Sequence, residues 1–452
     1  MKTHIDRLWQ TSDFLFLTGL VVALFLGSKV TPLLVVAGVL PIPFLLHALK
    51  NGHFHVSIWR LLAPFSIYFA YCLFVLFFFT GLEASDPRPV NPSLESYSVA
   101  IAMLIVGLLR SLQIRNLASQ FRKLMPWLLV ACFAVLSYMM FAGIRDACRV
   151  RGLAPWPFIP ALLFSTLTFI CLVGWEKLAE RERWLRVGLL ALSIVVSTTY
   201  TGSRGVAVAQ VGIFGVLMLL RLIPSFRTST PRLYHLATAA IAGTVVSVLI
   251  GLATDCGPAS RFYSTIETLG RMTSQLTAAD EETNSPTQVA PAPETVQVLD
   301  YSGSAVATPQ QPNKPTEVTN DASIGLRLAM WETSIAAIKH SPVFGHGSLY
   351  LQKLIHATYG FEHNHNQYLS WLVTGGVLQL TLGLIFLAIP WFISKGLSTS
   401  DRILLTTGVS LFWALAMIFD SFLSLKFYTH YFCLLCGVLY SLSNSMQESA
   451  KI

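Results

Sequence analysis

Residues 366–393 read NQYLSWLVTGGVLQLTLGLIFLAIPWFI, a run of 28 positions with no Asp, Glu, Lys or Arg. About 20 apolar residues suffice for a helix to cross bilayer hydrocarbon, so this run is long enough to do so. Comparable runs centre at 13–28, 32–50, 58–81, 96–112, 124–143, 156–175, 184–200, 204–223, 233–253, 402–424 and 428–446. The chain is 54% hydrophobic and only 12% charged, against roughly 25% charged for a soluble domain. Most of its length therefore has no water to face. No ten-residue alternation of apolar and polar positions occurs, which argues against a β-barrel. The expected fold is an all-α polytopic membrane protein of about 12 transmembrane helices.

The first run, Phe14 to Gly27, lacks a small-residue cleavage site and is followed at once by another, so it reads as a signal anchor. With the N-terminus inside, the inner loops and termini carry 18 Lys and Arg and the short outer loops carry 7. That bias places both termini in the cytoplasm. The formal charge of +8 is spread over many short loops, a distribution that fits anionic headgroups rather than a nucleic acid. Cys72, Cys132 and Cys171 fall in apolar runs and read as packing residues. The C-x-x-C of Cys433 and Cys436 also lies in an apolar helix, away from redox chemistry. Cys148 and Cys256 both fall in predicted outer loops, where a disulfide between them is one option.

This orientation divides the chain into spans 1–9 over residues 1–253, an outer loop over 254–365, and spans 10–12 over 366–452. Within the loop, 279–322 is rich in Pro, Thr, Gln and Ala and buries too little apolar surface to offset its ordering entropy, so it is expected to be a flexible insert. From Ser323, a plausible N-cap, Ile324, Leu328, Trp331, Ile335 and Ile338 recur at helical spacing. Pro342 and Gly345-His346-Gly347 end that helix. A second short helix over about 348–358 leads to His363-Asn364-His365-Asn366 at the mouth of the tenth span.

Two groups of residues carry chemistry. The first is a set of arginines on the outer side, against the topological bias: Arg145, Arg149 and Arg151 in one short loop, and Arg204 in Thr201-Gly202-Ser203-Arg204-Gly205. A guanidinium holds phosphate oxygens through two parallel hydrogen bonds. The 145–151 cluster fits a phosphate ligand and lipid headgroups equally well. For Arg204 the tight turn favours the ligand, with its glycines letting backbone come close. The second group runs from Arg327 and Trp331 to His363, His365, Asn366 and Tyr368. A histidine at a membrane boundary can act as a general base near neutral pH, or it can be part of a polar helix cap. The chain has no P-loop, HExxH, GxSxG or Asp-x-Asp, and no internal repeat of the transporter kind.

Ser203-Arg204-Gly205, Ile324-Gly325-Leu326-Arg327-Leu328 with Trp331, Pro342-Val343-Phe344-Gly345-His346-Gly347, and His363-Asn364-His365-Asn366-Gln367-Tyr368-Leu369 with Gly375-Gly376 together resemble the O-antigen ligase and polymerase superfamily. The pattern there is an R-L-x-x-W helix, a P-x-x-G-x-G turn and an H-x-H-N-x-x-L start to a membrane helix. The resemblance implies a GT-C-like glycosyltransferase of the bacterial inner membrane with its site on the periplasmic side. Its donor would be a polysaccharide on undecaprenyl pyrophosphate and its acceptor lipid A–core. It places the family's essential arginines at Arg204 and Arg327, which are expected to hold the donor pyrophosphate; the reading of the outer loop adds Arg145, Arg149 and Arg151 as further cations. It also implies that His365 is the catalytic base, with His363 as the alternative and with His363, Asn366, Tyr368 and Trp331 in support. No cofactor and no metal are expected, and direct attack implies inversion at the anomeric carbon. The rival readings within the superfamily are an O-antigen polymerase and a protein O-oligosaccharyltransferase. A transporter of lipid-linked sugars is the rival of another class.

Overall fold

The computed structural model describes residues 57–80, 158–200, 203–254, 296–299, 305–308, 322–361, 363–424 and 426–449. Arg145, Arg149, Arg151, Cys132, Cys148, Cys256 and the expected spans at 13–28, 32–50, 96–112 and 124–143 lie outside them. The helices, in order, are α1 (Ser57–Thr80), α2 (Phe158–Ile170), α3 (Glu180–Val195), α4 (Arg204–Leu222), α5 (Leu233–Thr254), α6 (Ala322–His340), α7 (Ser348–Tyr359), α8 (Gln367–Leu387), α9 (Ile389–Ile393), α10 (Thr399–Thr406), α11 (Phe412–Ala416) and α12 (Lys426–Ser449). Among the described residues, Arg204–Leu222, Leu233–Leu252 and Gln367–Leu387 are long and apolar enough to cross a membrane. These coincide with three of the twelve expected spans. Two more contain a wider turn of the π type: 184–200 ends in one, Val196–Tyr200, and 402–424 is interrupted by another, Thr407–Leu411.

One short hairpin accompanies the helices. Val296–Leu299 (β1) pairs antiparallel with Ala305–Thr308 (β2), Val296 opposite Thr308 and Leu299 opposite Ala305. Composition gives this part of the insert no regular structure. Locally, though, Val296, Val298, Val306 and Thr308 are β-branched, and the residues between the strands, Asp300-Tyr301-Ser302-Gly303-Ser304, are mostly turn formers.

The chain divides into two compact units. The first comprises Met1–Phe69, Asn91–Gly257 and Leu382–Ile452. Its core contains an aromatic group in which Tyr68 stacks on Phe386 at 4.6 Å, with Phe65 and Phe69 edge-on to the same ring. A buried polar seam runs through it. Gln210 of α4 donates from Nε2 to Ser165 Oγ (2.6 Å) and to the Ser193 carbonyl (3.1 Å), and its Oε1 accepts from Ser197 Oγ at 2.5 Å. Trp413 Nε1 donates to Thr166 Oγ1 at 2.9 Å. In apolar surroundings such groups are stable only when paired. Cys171, Cys433 and Cys436 are buried in this unit as packing residues.

The second unit comprises Ala70–Val90 and Pro258–Thr381. Its small core is Met330, Ala337, Leu351, Ile355 and Val373, with Leu326, Ile338, Tyr350, Leu354 and Tyr359 packed against it. Helix α6 begins at Ala322, one residue before the expected cap. The face it buries differs from the expected stripe, because Ile335 is exposed while Met330 and Ala337 are covered. Helical spacing fits either stripe, and packing against α7 and Val373 selects one.

Candidate functional site

Residues 363–369 of the second unit are organised by two asparagines. Asn366 Oδ1 accepts from the backbone N–H groups of Tyr368 (3.0 Å) and Leu369 (3.1 Å), so this residue caps α8. Asn364 is fully buried and ties three segments together. Its Nδ2 donates to Ser334 Oγ of α6 at 2.9 Å. Its Oδ1 accepts from Ser370 Oγ of α8 (2.8 Å) and from the Asn366 N–H (3.1 Å). Its carbonyl accepts from Trp331 Nε1 at 3.0 Å. Trp331 is thus a buttress of the histidine segment, and Arg327 lies one helical turn from it on α6.

The histidines on either side of Asn364 come together, with ring centroids 4.4 Å apart, and Phe361 lies edge-on to His365 at 5.7 Å. His365 has φ 53, and among the described residues it is the one non-glycine with a left-handed backbone. For an L-residue with a Cβ that conformation costs about 1–2 kcal/mol. The surrounding hydrogen bonds hold it there, and strain of this kind clusters at functional sites. The structure therefore joins Trp331, His363, His365, Asn366 and Tyr368 in one constellation. Asn364, Ser334 and Ser370 were missed by sequence reasoning. The signal available was Asn-x-Asn before a helix, which is a capping pattern.

The turn 342–347 does more than end α6. The N–H groups of His346 and Gly347 donate to the carbonyls of Val373 (2.7 Å) and Thr374 (2.8 Å), and the Val377 N–H donates to the Pro342 carbonyl at 2.9 Å. Helix α8 is broken there, with non-helical backbone at Gly375 and Gly376. Gly376 has φ 65, and a Cβ on it would collide with the Val343 carbonyl. Tyr71 Oη donates to the Gly375 carbonyl at 2.8 Å. His346 is structural: its Nε2 lies 2.9 Å from the Ala337 carbonyl and its ring stacks on Tyr350. Burial raises the Tyr350 phenol above its ordinary range and keeps it neutral.

Arg204 belongs to the first unit, where it is half-buried in the first turn of α4. The Ser203 N–H reaches back across the π-type turn to the Ser197 carbonyl at 2.9 Å. The adjacent Gly205 has a role other than the expected one of admitting a ligand. A Cβ there would meet Phe419 Cβ at 2.5 Å, so the missing side chain lets α4 pack closely on the segment after α11.

The family model described as O-antigen ligase matches residues 187–387. This stretch resembles the O-antigen ligase family. The O-antigen ligase match takes in Arg204, Arg327, Trp331, the 342–347 turn and the whole 363–369 constellation, and it leaves out Arg145, Arg149 and Arg151. An uncharacterized protein of Haemophilus influenzae is 37% identical over 92 residues, 18% of this chain and 23% of the relative. The aligned part thus spans under a quarter of that relative's length.

Proposed function

We propose that this protein is an O-antigen ligase, a membrane glycosyltransferase that moves polysaccharide from undecaprenyl pyrophosphate to lipid A–core. The observation that carries the reading is the strained His365, held beside His363 by Asn364 and Trp331 within the stretch that matches the O-antigen ligase family. In this mechanism the donor already carries its leaving group. An acceptor hydroxyl attacks the anomeric carbon of the first donor sugar. His365 takes the hydroxyl proton as that bond forms, a contribution of about 10²–10⁴-fold for a general base. The anomeric carbon–oxygen bond breaks, and undecaprenyl pyrophosphate leaves with its negative charge held by Arg204 and Arg327, with Arg145, Arg149 and Arg151 as further cations. Asn366 and Tyr368 fix the start of α8 behind the base.

The proposed setting is a GT-C-like bundle of about 12 spans in the inner membrane, with both termini cytoplasmic and the site periplasmic. The reaction is written with inversion and without a divalent metal. A product of retained configuration would overturn the first point. Activity lost to EDTA and restored by added metal would overturn the second, and would reassign the imidazole pair. The deciding experiment for the reaction is deletion of the gene. Surface lipid A–core should lose its polymer while lipid-linked polymer of normal length accumulates. Loss of polymer length instead would identify a polymerase, and an unchanged surface with modified protein lost would identify a protein O-oligosaccharyltransferase.

A further inference from the structure

We infer that the Pro342–Gly347 turn is a membrane-inserted turn whose Val343 and Phe344 side chains contact the acyl chains of bilayer lipid. The argument begins with the broken helix. Helix α8, Gln367–Leu387, is long and apolar enough to cross a membrane, whose hydrocarbon core is about 30 Å thick. Its break at Gly375 and Gly376 lies about 12 Å along from Gln367 at about 1.5 Å per residue. At such depth freed backbone groups need partners, and irregular backbone is tolerated only where protein satisfies it or where it lines a water-filled cavity.

The turn supplies those partners. In an unbroken helix the Val377 N–H would bond to the Val373 carbonyl. Here Val373 accepts from His346 instead, and Val377 donates to Pro342. Thr374 accepts from Gly347. Three hydrogen bonds and the Gly376–Val343 approach fix the turn at the level of the break. Whatever surrounds the break therefore surrounds the turn.

The outward face of the turn matches hydrocarbon. Val343 is 54% exposed and Phe344 57%, beside Val377 at 51% and Leu378 at 40% on α8. The turn and α8 meet at the Gly376–Val343 approach, so these four exposed apolar side chains lie on neighbouring segments. At the end of α6, Lys339 and His340 are exposed, and a lysine so placed would extend its ammonium toward the headgroups with its stem along apolar surface. The turn thus seats in the leaflet on the side that carries α6 and α7.

The test uses the native protein in nanodiscs containing phosphatidylcholine with a diazirine on one acyl chain. After photolysis, adducts are mapped by mass spectrometry of peptides. Val343 and Phe344 should carry lipid adducts at a level comparable to Val377 and Leu378, and at least tenfold above Lys353 and His356 on α7. Adducts at 377–378 with only the α7 background at 343–344 would overturn the inference. Absence of adducts at 377–378 would overturn it as well, because α8 would then not be a span.

Discussion

The indole Nε1 of Trp331 donates to the main-chain carbonyl of Asn364 at 3.0 Å. That single bond runs from the R-L-x-x-W helix to the residue between the two histidines. It means that the two most recognisable parts of the sequence, 33 positions apart, act as one object.

The sharpest expectation concerns His365. His365→Gln keeps a hydrogen-bonding side chain but cannot take a proton at neutral pH. Transfer by the purified variant should fall at least about 100-fold, the lower end for a general base, with folding and donor binding unchanged. A variant that keeps most of its rate would rule this mechanism out.

The proposed mechanism gives Arg204 and Arg327 the task of holding the donor pyrophosphate. Lysine preserves the charge and loses the two-pronged geometry. Arg204→Lys and Arg327→Lys should each weaken donor binding about tenfold or more, in line with the roughly 1.5–3 kcal/mol of a hydrogen bond to a charged group. Titration with lipid-linked donor checks this, and wild-type affinity in both variants would remove the pyrophosphate clamp.

In the proposed mechanism Asn364 is a positioning residue: its bonds to Ser334, Ser370 and the Asn366 N–H fix the chain on either side of His365. Asn364→Ala should lower the turnover rate more than it raises the donor KM. In a His365→Ala background it should do almost nothing further, since groups that act as a unit are strongly non-additive. An equal additional loss in that background would make Asn364 merely structural.

In the first unit, Gln210→Ala removes the bonds of Gln210 to Ser165, Ser197 and the Ser193 carbonyl, while Ser165 and Ser197 keep their bonds to the Ala161 and Ile194 carbonyls. The net loss per hydrogen bond is about 0.5–1.5 kcal/mol. The expected result is a clear drop in melting temperature in detergent. A Tm within a degree of the parent would show that the seam contributes little.

The insert should be dispensable. Replacing 285–315 with a short Gly-Ser linker removes both strands of the hairpin and should leave transfer near normal. Abolished activity in a stably expressed variant would give β1 and β2 a role.

Spans are easy to read because a bilayer imposes length and apolarity directly on sequence. Helix α8 was visible for that reason, as were α4 and α5. The boundaries of α6 and α7 were nearly legible too, since Pro342 and the glycines after it punctuate the chain. What the sequence hid depends on contacts across long separations. Ile335 and Met330 are equally apolar, and only the packing of α6 on Leu351, Ile355 and Val373 decides which is covered. The hub of Asn364, Ser334 and Ser370 uses three ordinary polar residues whose partnership exists only in the folded chain. The hairpin escaped notice because composition averaged over a long segment outweighs four-residue alternation.

The left-handed backbone of His365 has a consequence for anyone who would breed a hardier form of this protein. Glycine or asparagine would sit there with less strain. A library screened only for heat resistance should therefore enrich His365→Gly and His365→Asn, and under the proposed mechanism both would be silent in transfer. At this one position the demands of a durable chain and of a working one point in opposite directions.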